Sequence, residues 1–334
     1  MHDQADQLRE LVRQSVRADG ALVPGAPVIA VSGGQPGAGA TTIACRLARE
    51  LARLGKQVVL VDANLERPSA PKHFAASPLY CPPRSPDQAR SGPHAANSPD
   101  QAWTGPHQDP SGLNGTLAEV LAGTRRAVEV LSPAHDGVRL LAGCPAGAAP
   151  PLDARAVQRF LAEIAALSRQ VDVIVLDAGS GMNSWVDRLW QAARQILIVA
   201  TPEPAALIDC YTAVKLSQFH RLDGKLRLTV NCCADPADAA PLARRFAETC
   251  LRFLFITPKQ PVAIPAGRGR AGGDEDAFAR AMRLLAADLA GDFHATSLRL
   301  PRASSSPSNA TGDAMENSLP PLQRRVASRL PSEP

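Results

Sequence analysis

The sequence predicts an α/β fold, a doubly wound and mostly parallel sheet with helices on both faces. Two observations support this prediction. Short apolar runs alternate with helical segments along most of the chain, and this alternation is typical of parallel strands buried under helices. A glycine-rich turn also follows the first apolar run and precedes a helical segment, as in nucleotide-binding sheets of this class.

An amphipathic helix is predicted at residues 1–19, before the sheet begins. Within it Leu8, Leu11 and Val12 share one face, and acidic residues precede the arginines, an order that the helix dipole favours. Residues 20–26 are predicted to be a flexible linker. From periodicity alone, such a helix is either a docking strut for its own domain or a ligand for a partner.

The main domain is predicted at residues 27–295, with a disordered insertion at 69–112 and a disordered Ser/Pro-rich tail at 296–334. The insertion is rich in Pro, Ser and Ala and carries a short tandem duplication. Such a composition buries too little apolar surface to fold. Strands are predicted at 27–32, 57–62, 138–142, 171–176, 195–200, 226–230 and 251–256, and helices at 41–54, 153–169, 184–193, 204–220, 237–249 and 275–290.

The glycine-rich turn has the pattern of a phosphate-binding loop without its lysine. In the pattern glycine, four residues, Gly-Lys-Ser/Thr, the lysine position is alanine here. Backbone amides and a helix N-terminus can bind phosphate without a lysine, whereas the lost charge weakens binding roughly 10- to 150-fold. A turn without any ligand is the alternative. The predicted nucleotide-binding residues of this loop are Gly34, Gly37, Gly39, Ala40, Thr41 and Thr42.

Two aspartates end predicted strands. Asp62 ends the run 57–62, and Asp177 directly follows the run 171–176. Because ligands of doubly wound sheets bind at the carboxyl ends of strands, both carboxylates are candidates for the site. Asp177 is expected to partner a Mg²⁺ held by Thr41, directly or through water. For each aspartate, the capping of a loop is the structural alternative.

These residues together resemble the MinD/ParA group of P-loop ATPases, and within it the flagellar-number regulators FlhG, FleN and YlxH. Residues 177–183, Asp-Ala-Gly-Ser-Gly-Met-Asn, are similar to the family's DTGAG-type Walker B loop, and residues 200–209 are similar to its ATPEP-containing strand end. Asn231 matches the asparagine that reads adenine in this group. The resemblance therefore implies ATP or ADP with Mg²⁺ as the cofactor, bound more weakly than in the family.

The family's N-terminal motif, DQAxxLR, is the segment through which its members stimulate the signal-recognition-type GTPase FlhF. The resemblance implies that a positioned amide in this helix orients the hydrolytic water of the GTPase. The expected partners are an FlhF-type GTPase and other flagellar basal-body proteins, with a homodimer left open and nucleic acid not expected. The matching, partner-binding residues are Asp3, Gln4, Ala5, Leu8 and Arg9.

The chain departs from the family pattern at three catalytic positions. Gln35 and Ala40 replace the two lysines of the family's loop, Lys-Gly-Gly-x-Gly-Lys-Thr, and Asn64 replaces the aspartate that orients the attacking water. The first lysine reaches the partner's phosphates in the ATP-bound dimer, an effect worth about 10³ to 10⁵ in rate in comparable enzymes. Asp62 and Asn64 therefore occupy the position of the family's switch loop, which orients the attacking water, but without its full set of carboxylates. No catalytic residue is assigned. These departures predict a pseudo-ATPase. The resemblance implies that it regulates flagellar placement or number by stimulating FlhF.

Other functions remain open on the sequence. The main alternative is an active ParA/MinD-type partitioning or positioning ATPase in which Arg46 or Lys72 replaces the lysines. Residues 62–68 resemble the second Walker motif of bacterial tyrosine kinases, but the terminal tyrosine cluster of those kinases is absent. An adaptor that recruits proteins through the insertion is a further alternative.

A cytoplasmic location is expected, because no apolar run approaches the ~18 residues of a membrane span. Residues 322–330 carry apolar residues at four-residue spacing and three arginines, but so short a segment would bind lipid only weakly. Recruitment to the membrane or cell pole would then depend on a partner. The net charge of +4, from 36 basic and 32 acidic residues, is weak support for nucleic-acid contact.

Overall fold

The structure is a computed structural model, and it describes residues 25–75, 113–145, 147–217, 222–267 and 274–297. The predicted N-terminal helix, most of the predicted insertion and nearly all of the predicted tail lie outside these residues. No helix in the described part of the chain combines the length and apolar character needed to cross a bilayer.

An eight-stranded sheet forms the centre of the molecule, with the strand order β3-β4-β2-β5-β1-β6-β7-β8. Only β3 is antiparallel to its neighbour, and all other pairs are parallel. This confirms the predicted doubly wound, mostly parallel sheet. The strands are β1 (Val28–Gly33), β2 (Val58–Asp62), β3 (Ser132–Pro133), β4 (Arg139–Leu141), β5 (Val173–Ser180), β6 (Gln195–Ala200), β7 (Leu226–Cys233) and β8 (Lys259–Pro265).

Helices cover both faces of the sheet, and two apolar clusters fill the layers between them. Helices α1, α2 and α9 contribute to one cluster, and α3 to α8 contribute to the other. The helices are α1 (Ala40–Arg53), α2 (Ala70–Ala75), α3 (Leu117–Ala122), α4 (Ala127–Val130), α5 (Ala154–Leu167), α6 (Ser184–Ala192), α7 (Pro204–Leu216), α8 (Ala239–Leu254) and α9 (Glu275–Ser297).

Strand β1 shows why the sequence predicts burial on both faces. Val28 and Ala30 pack into one cluster, whereas Ile29 and Val31 pack into the other. Successive side chains of a strand point to opposite faces, so a central strand covered on both sides needs apolar residues at consecutive positions. The continuous apolar run, rather than an alternating one, therefore identifies a parallel strand in the middle of the sheet.

The strand predicted at 251–256 is wrong. Helix α8 continues to Leu254 and ends at Phe255, which adopts a left-handed conformation with φ of 56°. Its buried residues Ala239, Ala243, Phe246 and Cys250 recur every three to four positions, the spacing of a helix face. That stripe overrides the β propensity of the following residues, and the last strand of the sheet forms later, at Lys259–Pro265.

The predicted start of the insertion, residue 69, lies too early in the chain. The short helix α3, which follows the insertion, is not among the predicted helices. Ala70 and Phe74 of α2 are buried, so the first residues of the range 69–112 belong to the folded domain. Helix α3 begins with a capping box in which the Glu119 carboxylate accepts the Thr116 backbone N–H at 2.8 Å. The sequence Thr-Leu-Ala-Glu carries this signal.

Candidate functional site

The carboxyl ends of the central strands surround a cavity of about 500 Å³. The loop after β1 and the first turns of α1 form one wall, and the loop after β2 and the end of β5 form another. The end of β7 and the start of α9 complete it. The lining residues are Gln35, Pro36, Gly37, Ala38, Gly39, Ala40, Thr41, Thr42, Arg46, Asn64, Arg67, Ser69, Gly179, Ser180, Asn231, Cys232, Gly267, Glu275 and Phe278.

The glycine-rich loop requires glycine at two positions. Gly37 and Gly39 have φ of 84° and 95°, a left-handed region that favours glycine. At Gly39 a side chain would also collide, because a Cβ there would lie 2.3 Å from Asn231 Nδ2. That amide nitrogen donates to the Ala38 carbonyl at 2.8 Å. Asn231, at the end of β7, therefore lies directly on the loop.

Thr41 lines the cavity and contacts Asp177, which is not itself among the lining residues. The Asp177 carboxylate is fully buried and accepts hydrogen bonds from the Thr41 hydroxyl and, at 3.1 Å, from the Gly179 N–H. Burial raises the pKa of Asp177, and these two hydrogen bonds oppose that shift. Its second oxygen, Oδ2, is buried without a hydrogen-bond partner among the described residues. An unpaired buried carboxylate oxygen beside a hydroxyl fits a Mg²⁺ ion or a water that the ion carries.

The protein side chains alone supply too few ligands for a metal. Among the described residues no group of three or more His, Cys, Asp or Glu side chains could hold an ion. Mg²⁺ in P-loop proteins takes most of its oxygen ligands from nucleotide and water. The Thr41–Asp177 pair fits that arrangement, in which the metal would bind together with the nucleotide.

Asp62 caps a helix instead of facing the cavity. Its carboxylate accepts the backbone N–H groups of Ser69 and Ala70 at 2.8 and 2.9 Å, which start α2. This is the structural alternative that the sequence left open, and the assignment of Asp62 to a switch position stays a prediction. Burial, with the nearby charge of Asp177, raises the pKa of Asp62 to about 7.

The raised pKa of Asp62 predicts that the metal-free protein loses stability as pH rises. Between about pH 4 and pH 7 the folded protein keeps a proton on Asp62 that the unfolded chain has already released. The folded state binds more protons in this range, so the free energy of unfolding falls with rising pH, by roughly 2 to 4 kcal/mol in total.

The measurement is urea unfolding in EDTA at pH 5 and pH 8, for wild type and Asp62→Asn. The amide retains an oxygen that can accept from α2 but does not titrate, so the free energy of unfolding of Asp62→Asn should fall less with rising pH than that of wild type. The fall that remains comes from Asp177, whose pKa is also raised by burial. Glu248→Gln, which changes an exposed carboxylate on α8, is the control and should behave as wild type. Equal pH dependence in wild type and Asp62→Asn would contradict the prediction.

Asn64 lines the cavity, but its side-chain oxygen is occupied by its own loop. Oδ1 accepts the backbone N–H groups of Glu66 and Arg67 at 3.2 and 3.0 Å. A Cβ on Gly179 would lie 2.8 Å from this oxygen, so the loop after β2 touches the end of β5 here. The Asn64 amide oxygen therefore holds the turn, in addition to lacking the basicity of a carboxylate.

Six of the seven residues predicted to bind nucleotide line the cavity, and Gly34 does not. Gly34 is buried against α7, where a Cβ would lie 2.4 Å from Cys210 Sγ, and its N–H donates to the Val199 carbonyl at 3.0 Å. Its role is close packing beneath the loop. The lining members of the set are Gly37, Gly39, Ala40, Thr41, Thr42 and Asn231.

Two arginines from different elements line the cavity. Arg46 of α1 forms an ion pair with Glu275 and lies 5.4 Å from the centroid of the Phe278 ring. Burial lowers its pKa, and the neighbouring Arg49 adds to that effect. Arg67 was not predicted. Lys72, which was suggested as a replacement for the lysines, is exposed on α2 and does not line the cavity.

The predicted partner-binding residues, Asp3, Gln4, Ala5, Leu8 and Arg9, lie outside the described residues. The arrangement within the described residues is that of a P-loop NTPase: a strand, a glycine-rich loop and a helix, with a hydroxyl of the helix bonded to an aspartate on the next parallel strand. The fold and the position of the cavity at the glycine-rich loop together define the class of P-loop NTPases.

Comparison with known proteins extends the description. The chain is 26% identical over 246 residues to the antiactivator FleN of Pseudomonas aeruginosa, covering 71% of this chain and 73% of FleN. It is 32% identical over 85 residues to the flagellum site-determining protein YlxH of Helicobacter pylori, covering 25% of this chain and 28% of YlxH. No protein-family model matches the chain.

Solved structures share the fold at low sequence identity. A chain of the MinC:MinD cell division protein complex of Aquifex aeolicus is 17% identical, with a TM-score of 0.54, and the match covers 86% of this chain and 100% of that chain. MinD of Pyrococcus horikoshii, complexed with Mg-ADP, is 16% identical with a TM-score of 0.50, and the match covers 79% and 96%. These structural likenesses show that the chain has a MinD-like P-loop fold, and the sequence similarity to FleN extends over most of the chain.

Proposed function

We propose that the chain is a flagellar-number regulator of the FlhG type. The support is sequence similarity over most of the chain to a protein named as an antiactivator, FleN, and over a shorter segment to a flagellum site-determining protein, YlxH. The MinD-like fold is consistent with this function, because the same scaffold occurs in a cell division ATPase, MinD of Pyrococcus furiosus.

The cavity is proposed to hold ATP or ADP with Mg²⁺, more weakly than in active relatives. The solved MinD neighbour from Pyrococcus horikoshii contains Mg-ADP. Here the backbone amides of residues 37–42 would receive the phosphates, and Asn231 would contact the base. Thr41 and Asp177 would hold the metal, which when bound neutralises phosphate charge. The fully buried and unpaired Oδ2 of Asp177 supports a retained metal position.

ATP hydrolysis is proposed to be lost, and the observation that carries this proposal is alanine at position 40. Ala40 lines the cavity between Gly39 and Thr41, where an ammonium group would otherwise compensate the charge of the β- and γ-phosphates. Gln35 lines the same cavity, and the oxygen of Asn64 is held by its own loop. The three changes remove charge compensation and water orientation while the phosphate-binding backbone remains.

Regulation is proposed to act through residues 1–19, which would stimulate an FlhF-type GTPase. In this proposal Gln4 orients the hydrolytic water of the GTPase, Leu8 buries against it, and Arg9 pairs with a carboxylate at the rim. Other flagellar basal-body proteins and a second copy of the chain are further candidate partners. A cytoplasmic protein recruited by such a partner to the membrane or pole fits this scheme.

The test is GTP hydrolysis by a purified FlhF-type GTPase in the presence of this protein. Wild type is compared with a chain lacking residues 2–18, with Gln4→Ala, and with the matched control Gln7→Ala, which lies at a variable position of the motif. The expected result is stimulation by wild type and Gln7→Ala, loss without the helix, and strong reduction in Gln4→Ala. Stimulation that survives removal of the helix would contradict the proposal.

A second function keeps support from one observation, the presence of Arg46 in the cavity. An active ParA/MinD-type ATPase could use such a basic residue in place of the lysines. Its pairing with Glu275 weighs against this role, because the charge of Arg46 is already compensated. Partner-dependent ATP turnover, recorded in the same assay, would favour this function over the pseudo-ATPase.

A further inference from the structure

We propose that Arg67 supplies the cation for the terminal phosphates that a phosphate-binding loop ordinarily obtains from its lysine. The proposal rests on the proposed nucleotide site and names one residue of it. Arg67 lies on the loop between β2 and α2, and it lines the cavity together with Gly37, Gly39 and Thr41. The cation therefore comes from the loop after the second strand instead of from the glycine-rich loop.

The backbone on both sides of Arg67 is held in place. Its own N–H donates to Asn64 Oδ1 at 3.0 Å. The following residue, Pro68, has a fixed φ and packs so closely on Gly143 that a Cβ there would lie 2.5 Å from Pro68 Cβ. The N–H of the next residue, Ser69, donates to the Asp62 carboxylate at 2.8 Å. A side chain presented from such a loop needs little ordering of the backbone when a ligand binds.

The charge of Arg67 is available within the described part of the chain. None of the ion pairs between described residues includes Arg67, and its side chain is exposed. Arg46, the other arginine of the cavity, is paired with Glu275 and stacked near Phe278. A triphosphate entering the cavity would meet one compensated and one uncompensated guanidinium.

The chemistry of a guanidinium suits this position. Its planar fork can donate two parallel hydrogen bonds to phosphate oxygens. The rest of the cavity offers backbone amides and the Thr41–Asp177 contact, but its other cation, Arg46, is already paired with Glu275, and Gln35 and Ala40 stand where the family has lysines. Arg67 would restore binding of the terminal phosphates without restoring the geometry of the family's catalytic lysines, so retained binding and lost hydrolysis are compatible.

The test is equilibrium binding of Mg²⁺ complexes of ATP and ADP, and of AMP, to the full chain, for wild type, Arg67→Gln and Arg67→Lys. The matched control is Lys72→Gln, which removes one positive charge from the exposed surface of α2. We expect the ATP dissociation constant of Arg67→Gln to rise roughly 10- to 100-fold. AMP binding should remain within a few-fold of wild type, Arg67→Lys should recover part of the loss, and Lys72→Gln should bind as wild type.

Each other outcome decides against the inference. Unchanged ATP binding in Arg67→Gln would overturn it while leaving the nucleotide site intact. An equal loss for ATP, ADP and AMP would assign Arg67 a structural role only, and an equal loss in Lys72→Gln would show a long-range charge effect. Wild type that binds no nucleotide at millimolar concentration would refute the nucleotide site itself, and the inference with it.

Discussion

Restoring three side chains, with Gln35→Lys, Ala40→Lys and Asn64→Asp in one chain, is expected to raise ATP turnover by about 10³-fold or more. Ala40 and Gln35 line the cavity, so lysines there would extend into open space towards bound phosphates. Aspartate at position 64 keeps an oxygen that can accept the N–H groups of Glu66 and Arg67. The rest of the site, including the Thr41–Asp177 contact, is already present.

The measurement is ADP production by the triple variant under saturating Mg²⁺-ATP. A control variant with methionine in place of both lysines, and with the same Asn64→Asp change, matches the side-chain length without the charge. Turnover in the triple variant and none in the control would show that missing charge accounts for the lost hydrolysis. Equal turnover in the two variants would contradict this explanation of the site.

Gly39→Ala is expected to lose nucleotide binding at least tenfold beyond Gly37→Ala and to be less stable. Both glycines have positive φ, so alanine costs each about 1–2 kcal/mol in backbone strain. Only at Gly39 does the added Cβ meet another group, Asn231 Nδ2 at 2.3 Å, whereas nothing lies within 4 Å of a Cβ on Gly37. Displacing Asn231 breaks its bond to the Ala38 carbonyl, which costs a further ~1–3 kcal/mol.

Comparison of these two variants isolates the contact between Asn231 and the loop. Thermal unfolding and Mg²⁺-ADP binding are measured for both, because both share the strain and differ in the collision. If Gly39→Ala and Gly37→Ala lose the same stability and the same affinity, the packing of Asn231 on the loop has no role in the site. The adenine assignment of Asn231, which rests on resemblance, would then lose its structural support.

The sheet could be predicted from the sequence because its signal is local. Strands such as β1 are buried on both faces, and their consecutive apolar residues are visible without knowledge of the fold. The run at 251–256 has the same appearance, but helix α8 continues through most of it. Its burial depends on what packs on it, and Leu251 and Phe253 are more than half exposed. The helical stripe of Ala239, Ala243, Phe246 and Cys250, which precedes the run, is the signal that distinguishes it from a strand.

The site was predictable where it follows from one loop, and not where distant segments meet. The glycines, Thr41 and Asp177 are recognisable from their motifs, but the role of Asp62 depends on where α2 begins, which the predicted insertion obscured. The contribution of α9 to the cavity, through Phe278, depends on tertiary packing alone. Arg67 lies within residues 62–68, yet only the fold shows that it lines the same cavity as the phosphate-binding loop.

The most direct test of the central claim is the binding and turnover of Mg²⁺-ATP by the wild-type protein in a single equilibrium dialysis experiment. The claim is that this cavity holds nucleotide without hydrolysing it. The predicted result is saturable binding that Gly39→Ala weakens, with the recovered nucleotide still ATP after prolonged incubation with the GTPase partner. Conversion of the bound ATP to ADP at a rate that the partner stimulates would contradict the claim, as would the absence of any saturable binding.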